Sequence, residues 1–218
     1  MSLAIFDLDN TLIAGDSDHS WGEFIVEQGL VDVEHYRAEN DRFYREYENG
    51  GLDVNEYLRF ALEPLTRYSL DELAKLHQQF MAEKIDPMRL PKAEALLQKH
   101  RDAGDYLLIM TSTNSFVTGP IAASLGVDEI MASEAEIIDG RYTGNVVGTP
   151  CFQAGKVTRL QQWLAQYDGD KENCYFYSDS INDLPLLSEV DNPVAVDPDD
   201  TLRAHAEAAG WPVISLRD

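Results

Sequence analysis

The chain begins with the stretch Leu3-Ala4-Ile5-Phe6-Asp7-Leu8-Asp9-Asn10-Thr11-Leu12, in which apolar residues run directly into two closely spaced aspartates. This order predicts a buried β-strand with a charged carboxyl end, which is where an open α/β sheet places its ligand site. Residues i and i+2 of a strand share a face, so Asp7 and Asp9 can point into one pocket. Buried carboxylates that repel one another need a compensating cation, and Mg²⁺ suits that purpose.

The same Asp-x-Asp-x-Thr pattern also fits a simple turn. Aspartate and asparagine are typical turn residues, and Thr11 could hydrogen-bond the backbone there. Short patterns of common residues recur by chance. The hypothesis of a catalytic site therefore depends on whether complementary groups follow other strands.

Composition limits the classes of function that the chain can have. With 218 residues, of which 44% are hydrophobic, it can form a globular domain with a buried core. Its 17 basic residues against 39 acidic ones give a net charge of −22, which argues against a nucleic-acid partner. An anionic substrate would need local cations. A plainly soluble acidic surface is the simplest explanation of the charge.

Location and assembly are predicted from what the sequence lacks. No apolar run approaches the ~18 residues that span a bilayer, and no secretory leader pattern is present, so we expect no membrane contact and a cytoplasmic location. Cys151 and Cys174 lie far apart without CxxC or Cys/His spacing, which favours neither zinc nor disulfides. Either a monomer or a homodimer is compatible with the sequence.

Residues 16–87 show helical periodicity and predict an all-helical module inserted after the first strand. Capping-box spacing predicts helix starts at Ser20, Asp53 and Ser69, each with a glutamate three residues later. The aromatic residues of the segment recur at helical spacing, which favours a core of its own. The prolines of 86–91 then predict a return linker.

From residue 88 onward, strands and helices alternate. The pattern predicts strands at 106–110, 129–133, 174–177, 193–196 and 213–214, a hairpin at Asp139-Gly140, and helices at 92–103, after Asn114, at 153–167, at 184–187 and at 199–209. Alternation of this kind implies right-handed crossovers and a parallel sheet. We therefore predict an α/β fold: a Rossmann-like core of residues 1–15 and 88–218 with helices on both faces, and a helical cap of residues 16–87.

Three later stretches each follow a predicted strand, and so belong at the same sheet edge as Asp7. Thr111 and Ser112 are predicted to open a helix, where hydroxyl and backbone N–H groups can hold a phosphate, although ordinary N-capping is an equal alternative. Lys156 stands early in a helix, where the dipole disfavours it, which points either to a catalytic charge or to an exposed surface lysine. Asp179 and Asp183 form a second acidic cluster that calls for a cation, although N-capping could explain one of them.

The order of these features resembles the haloacid dehalogenase superfamily, whose members form aspartyl-phosphates. Asp7 to Thr11 is similar to its first motif, Thr111 to its second, Lys156 to its third, and residues 178–183 to its fourth. The helical insert after the first motif, and the Asp-x-x-x-Asp form of the fourth, are similar to the phosphoserine phosphatase branch.

The resemblance implies a role for each matching residue. Asp7 would be the nucleophile, Asp9 the general acid and base, and Lys156 a charge that stabilises the transferred phosphoryl group. Mg²⁺ would be held by the Asp7 and Asp179 carboxylates and by the backbone carbonyl of Asp9. Asp183 would either bind the ion directly or hydrogen-bond to one of its ligands. The implied substrate-binding residues are Thr111, Ser112, Asp16, Arg59 and Asn182.

The implied substrate is a small phosphate monoester. Asp16 falls where phosphoserine phosphatases carry a glutamate for the substrate amine, and Arg59 where they carry an arginine for its carboxylate. The shorter acid puts strict phosphoserine specificity in doubt, and His19 with the aromatic residues of the cap could instead receive the ring of histidinol phosphate. The alternatives are a phosphotransferase with the same intermediate and a non-catalytic metal-binding regulatory domain.

Overall fold

A computed structural model describes residues 2–166 and 173–217 and contains one seven-stranded sheet. The strand order is β4-β3-β2-β1-β5-β6-β7; β4 pairs antiparallel with β3, and the other pairs are parallel. The predicted α/β class with a mostly parallel sheet is confirmed. The strands are β1 (Leu3–Phe6), β2 (Tyr106–Asn114), β3 (Glu129–Ile138), β4 (Arg141–Val147), β5 (Tyr175–Ser178), β6 (Asn192–Val196) and β7 (Val213–Ile214).

Helices pack on both faces of the sheet. The α-helices are α1 (Ser17–Glu27), α2 (Val33–Glu48), α3 (Val54–Leu62), α4 (Leu70–Phe80), α5 (Pro91–Ala103), α6 (Ser115–Leu125), α7 (Ala154–Leu164), α8 (Leu184–Leu187) and α9 (Asp200–Ala209). Short 3₁₀ turns lie at Glu63–Arg67, Asp86–Met88 and Ile181–Asp183, and a π-helical turn lies at Met81–Ile85. Among the described residues, no helix is both long and apolar enough to cross a membrane.

The strand β1 lies in the middle of the sheet, where alternate residues serve two hydrophobic cores. Ala4 and Phe6 join the core that contains α5 and α6, while Leu3 and Ile5 join the core that contains α7, α8 and α9. All four are buried, which is why this strand reads as a continuous apolar run. Because β2 and β5 flank β1 in parallel, the carboxyl ends of the three strands meet at one edge.

Between β1 and α5, every named element is helical. Trp21 of α1 packs edge-on against Phe80, the last residue of α4, and against Phe116 of α6. The aromatic residues of this segment are thus partly shared with the α/β core. Gly22 permits the close approach of α1 to α2, because a Cβ at this position would lie 2.5 Å from the Asn40 amide nitrogen.

Several element boundaries differ from the prediction. Helix α1 starts at Ser17, not after Ser20, because the Asp16 side chain accepts a hydrogen bond from the His19 backbone N–H. The predicted caps at Asp53 and Ser69 are confirmed, and Ser69 forms a full capping box with Glu72. The start of α2, capped by Asp32, was not predicted.

Two strands are longer than predicted, and one helix is shorter. Strand β2 continues through Thr111 and Ser112 to Asn114, so the prediction that this hydroxyl cluster opens a helix is wrong; Asn114 caps α6. Strand β3 continues to Ile138, so the strand predicted at 129–133 and the first arm of the hairpin are one element. The helix predicted at 153–167 ends at Leu164, and residue 167 lies outside the described residues.

Candidate active site

Lys156 joins the ends of two strands at the centre of the site. Its Nζ donates to Asp7 Oδ1, just beyond β1, and to Asp183, beyond β5, each at 2.8 Å. The lysine is 2% exposed, so the alternative of a surface lysine is wrong. Gly155 precedes it because a Cβ there would collide with the Pro150 carbonyl.

Charge in this cluster is tightly balanced. Burial raises the pKa of Asp7 from 3.8 to about 7. The attraction of Lys156 lowers this pKa in part, whereas the repulsion of Asp183 and Asp9 raises it further. Burial alone would lower the pKa of Lys156, but the attraction of Asp183 and Asp7 raises it above its ordinary value. The ammonium group is therefore a permanent positive charge next to Asp7.

The second acidic cluster is held by hydroxyl groups. Thr11 Oγ1 donates to Asp179 Oδ1 at 3.1 Å, and Ser178 Oγ donates to Asp183 Oδ2 at 2.7 Å. Burial raises the pKa of Asp179 well above its ordinary value, and the repulsion of Asp7 and Asp183 adds to that effect. Neither aspartate caps a helix through its side chain, since Ser180 caps the 3₁₀ turn.

Asp9 is held by donors from two different segments. Its Oδ1 accepts from the Ser17 backbone N–H at 2.6 Å, and its Oδ2 accepts from Thr113 Oγ1 at 2.8 Å. Thr111 Oγ1 is more distant, at 3.4 Å. Burial raises the pKa of Asp9, and the hydrogen bonds from Ser17 and Thr113 oppose this. Both oxygens are fixed, so the carboxyl group has a defined orientation.

Asp7 and Asp9 face a cleft of about 550 Å³, a volume that includes solvent at its mouth. The cleft lies between the sheet edge and the helical segment. Its lining holds four aspartates and, among the described residues, neither a lysine nor an arginine. The lining residues are Asp7, Asp9, Asp16, Asp18, His19, Asn40, Phe43, Tyr44, Tyr47, Leu52, Val54, Tyr57, Ser112 and Thr113.

Asp16 and Asp18, which we call the α1 carboxylates, lie at the start of α1 and line the cleft. Asp16 is the N-cap of α1, and burial with the repulsion of Asp9 raises its pKa to about 7. Burial also raises the pKa of Asp18 well above its ordinary value, as does the repulsion of Asp16. Among the described lining residues, His19 is the one basic side chain, and its Nε2 lies 3.0 Å from Asp41.

Three of the predicted substrate-binding residues, Arg59, Asn182 and Thr111, are not among the lining residues. Arg59 is exposed, and its Nε donates to the Asn55 carbonyl of its own helix at 3.0 Å. Asn182 is buried, but its amide donates to the Tyr47 carbonyl and accepts from Gln153 Nε2. Arg59 thus lies away from the cleft, and Asn182 ties the end of α2 to the sheet edge.

The chemistry of the core acids fits a hard divalent cation. Asp7 and Asp183 share one ammonium group, and the charges of Asp9 and Asp179 lie close enough to repel that of Asp7, so the cluster holds more potential negative charge than Lys156 neutralises. Carboxylate and carbonyl oxygens are the ligands that Mg²⁺ prefers. The proposed ligands include the Asp9 backbone carbonyl, and the side chains alone do not form a compact trio.

A compact trio of possible side-chain ligands occurs elsewhere in the described residues. Candidate ligand atoms of His19, Glu23 and Asp41 lie within 4.8 Å of one another at the contact of α1 with α2. His19 already pairs with Asp41, and Glu23 pairs with Arg37 at 3.3 Å. The three side chains therefore already have partners within the described chain.

Sequence reasoning gave no role to three groups that the structure places at the site. Thr113 lines the cleft, Ser178 bonds Asp183, and Asp18 lies beside Asp16. Thr113 and Ser178 stand within stretches that the sequence had already marked, so the strand-end position was an available signal. Asp18 lies on a helix, and only the packing of this helix over the sheet brings it to the site. Tyr47, one of the cap aromatic residues considered for a ring pocket, also lines the cleft.

Comparison with known proteins gives a consistent result. Residues 4–188 match the haloacid dehalogenase-like hydrolase family. A histidinol-phosphatase of Neisseria meningitidis serogroup C (strain 8013) is 49% identical over 220 residues, covering 99% of both chains. A crystal structure of a Bordetella pertussis Tohama I protein with unknown function superimposes with a TM-score of 0.93 at 44% identity, covering 99% of this chain and 98% of that one. A substrate-bound phosphoserine phosphatase shares the fold, with a TM-score of 0.73 at 18% identity, covering 100% of this chain and 94% of the other.

Proposed function

The chain belongs to the haloacid dehalogenase-like hydrolase family and is a phosphoric monoester hydrolase, and from this premise we propose that it works through an aspartyl-phosphate on Asp7. The observation that carries the proposal is the Lys156 bridge, which sets one buried ammonium group 2.8 Å from Asp7. A purely regulatory metal-binding domain has no need of this arrangement. An enzyme that gathers negative charge at one carboxylate requires it.

In the first step, Asp7 attacks the phosphorus atom in line with the departing oxygen. The new bond joins an Asp7 oxygen to phosphorus, and the bond from phosphorus to the ester oxygen breaks. Lys156 stabilises the added negative charge, while Asp183 and Ser178 keep the ammonium group in place. Thr111, Ser112 and Thr113 offer hydroxyl or backbone N–H donors at the end of β2 for the phosphoryl oxygens.

Asp9 handles the proton in both steps. Its raised pKa favours the protonated form, which can give its proton to the leaving alcohol. The resulting carboxylate then takes a proton from the water that attacks the phosphorus atom of the aspartyl-phosphate. The bond from phosphorus to the Asp7 oxygen breaks in this step, which releases inorganic phosphate and restores the Asp7 carboxylate. The hydrogen bonds from Ser17 and Thr113 hold Asp9 in one orientation for both tasks.

Magnesium completes the proposed site. Asp7, the Asp9 carbonyl and Asp179 would hold Mg²⁺, with Asp183 either as a ligand or one shell behind, and the ion would supply charge stabilisation to the phosphoryl group. Since its ligands are ionised buried carboxylates, binding should also stabilise the fold. The test is a thermal-unfolding series with Mg²⁺, with Asp179→Asn as the matched variant. We expect Mg²⁺ to raise Tm by about 5 °C in wild type and less in the variant; equal shifts would contradict these ligands.

The substrate that we propose first is histidinol phosphate or a close analogue. The similar Neisseria meningitidis protein is a histidinol-phosphatase, and the cleft lining combines carboxylates with aromatic rings. Phosphoserine is the second candidate, but its carboxylate would need a cation, and Arg59 is exposed. A side-by-side measurement of kcat/KM for the two esters decides between them: we expect histidinol phosphate to be preferred, and preference for phosphoserine would contradict the assignment.

The remaining parts of the proposal concern organisation. We propose that residues 16–87 act as a cap over a core of residues 1–15 and 88–218, which would keep water from the site until it is needed. A cytoplasmic location, a state of monomer or homodimer, and no nucleic-acid partner stay predictions from the sequence. Transfer of the phosphoryl group to another alcohol would be detected by product analysis with added acceptor, and we expect inorganic phosphate alone.

A further inference from the structure

The helical segment contributes a tyrosine whose hydroxyl lies among the core aspartates. Tyr47, near the end of α2, lines the same cleft as Asp7. Burial raises the pKa of Tyr47 well above its ordinary value, and the charges of Asp179, Asp7 and Asp183 raise it further, so these carboxylates lie near its hydroxyl. A phenol from α2 thus faces the place where the phosphate ester would react.

Contacts to the sheet edge hold Tyr47 in place without using its hydroxyl. Its backbone carbonyl accepts from the Asn182 side-chain amide at 3.0 Å, and Asn182 in turn accepts from Gln153 Nε2 at 3.1 Å. Its ring packs against the ring of Phe152, with 6.1 Å between the centroids. A phenylalanine at position 47 could make both contacts, so the anchoring of α2 does not account for the hydroxyl.

The segment that anchors Tyr47 also leads into Lys156. Phe152 and Gln153 immediately precede α7, and Gln153 has a φ of 47°, which residues other than glycine rarely adopt. Backbone strain of this kind clusters at active sites and ligand clamps. The ring of Tyr47 and the ammonium group of Lys156 are thus positioned by one short segment.

The hydrogen bonds of Ser180 leave the phenolic proton of Tyr47 available to a ligand. Ser180 Oγ accepts from the Asn182 backbone N–H at 3.2 Å, and Ser180 is also the hydrogen-bond partner of the Tyr47 hydroxyl. A serine hydroxyl that accepts one bond still has its own proton to donate, so Ser180 can donate to Tyr47 Oη. The phenolic O–H can then donate to an acceptor in the cleft.

We propose that Tyr47 is a catalytic residue whose hydroxyl donates a hydrogen bond to a phosphoryl oxygen of the substrate. The inference rests on the proposed function, because it concerns the same phosphoryl group that Asp7 attacks. Donors that are fixed before the reaction stabilise the charge on such oxygens most effectively. Tyr47 adds a donor from the helical segment to those at the end of β2. Because this interaction involves the phosphoryl group alone, every ester that the enzyme hydrolyses should depend on it.

The test is Tyr47→Phe, which keeps the ring and the backbone carbonyl and removes only the hydroxyl. We expect kcat/KM for p-nitrophenyl phosphate to fall by about tenfold or more, because one hydrogen bond to a charged group is lost. Calorimetric titration with inorganic phosphate in saturating Mg²⁺ should show a Kd that rises by a similar factor. The matched control is Tyr142→Phe, which removes the hydroxyl of a β4 tyrosine outside the cleft lining and should leave both values unchanged.

A second variant tests the same hydrogen bond from its other side. Ser180→Ala removes the group that orients the Tyr47 hydroxyl, so the Kd for inorganic phosphate should rise by about threefold. If Tyr47→Phe does not fold, the Ser180→Ala result decides, and an unchanged Kd there would overturn the proposal.

The outcomes for the inference and for the proposed function are distinct. An unchanged Kd for inorganic phosphate in folded Tyr47→Phe, whether or not its binding of Mg²⁺ is weakened, would overturn the role of the hydroxyl while phosphatase activity stands. Failure of the wild type to hydrolyse any ester, p-nitrophenyl phosphate included, would overturn the proposed function and the inference with it.

Discussion

The two sides of the cleft both hold carboxylates but balance their charge in different ways. At the ends of β1 and β5, Lys156 lies between Asp7 and Asp183 at 2.8 Å from each. At the start of α1, Asp16 and Asp18 instead accept hydrogen bonds from neutral groups, the His19 backbone N–H and the Asn114 side-chain amide. The comparison teaches that a buried ammonium group balances the carboxylates of the first side, whereas neutral hydrogen-bond donors hold those of the second.

The largest effect expected at the first side comes from the nucleophile. Asp7→Asn keeps the shape of the side chain but removes the attacking oxygen's charge, so kcat for p-nitrophenyl phosphate should fall by at least about a thousandfold. Steady-state kinetics measures this. Asp71→Asn serves as the control at an exposed site, and substantial activity in Asp7→Asn would remove the proposed nucleophile.

The next effect concerns the stability of the same side. Lys156→Met leaves Asp7 and Asp183 buried without their ammonium partner, which should cost about 3–5 kcal/mol of unfolding free energy. Urea denaturation measures the change. Lys92→Met removes an exposed lysine from α5 and should cost little. If the two variants were equally stable, the Lys156 bridge would not be the main source of charge balance.

A smaller effect is expected at the second side and depends on pH. Asp16 has a pKa of about 7 because it is buried near Asp9, so its carboxyl group becomes charged as the pH rises through neutrality. O-phosphoethanolamine carries an ammonium group where 2-hydroxyethyl phosphate carries a hydroxyl, so the preference of wild type for the first ester should increase from pH 6 to pH 8, by up to about tenfold. Titrations that affect both esters equally, such as those of the catalytic groups, cancel in the ratio of the two kcat/KM values.

The Asp16→Asn variant isolates this effect from folding. Asparagine is as good an N-cap as aspartate, so α1 should retain its start and its stability to within about 0.5 kcal/mol. The dependence of the ratio on pH should disappear. A ratio that rises equally in the variant would assign the titration to another group.

The smallest effect is expected at Arg59. Its guanidinium group is exposed and bonded to the carbonyl of Asn55 on its own helix, so Arg59→Ala should change kcat/KM for phosphoserine by less than about twofold. A loss of tenfold or more would show that this arginine reaches the substrate, and the second side of the cleft would then carry a cation.

The parts of the molecule that sequence predicted well are those with local or periodic causes. The strand at Leu3–Phe6 was visible because a strand covered on both faces must be apolar throughout. Asp7, Asp179 and Asp183 could be placed at one edge because parallel strands align their carboxyl ends. Lys156 reaches the same edge from α7, which follows the antiparallel strand β4. The helix caps at Asp53 and Ser69 were visible for similarly local reasons.

The parts that sequence did not predict depend on packing between distant segments. Asp18 was placed at the site only by the structure, which brings it beside Tyr57, 39 positions later in the chain. Thr111 was expected at a helix start, but pairing with β3 extends strand β2 through it. Arg59 was predicted to bind substrate because it falls where phosphoserine phosphatases carry an arginine. Residue spacing alone does not predict the direction of its side chain.

The most direct measurement is chemical trapping of the covalent intermediate. Wild-type protein is mixed with substrate, quenched in acid and reduced with borohydride, which converts an aspartyl-phosphate to homoserine, and the peptides are analysed by mass spectrometry. The account predicts homoserine at position 7 and at no other described aspartate. Reduction at Asp179 or Asp183 instead, or no reduction in protein that turns over its substrate, would contradict it.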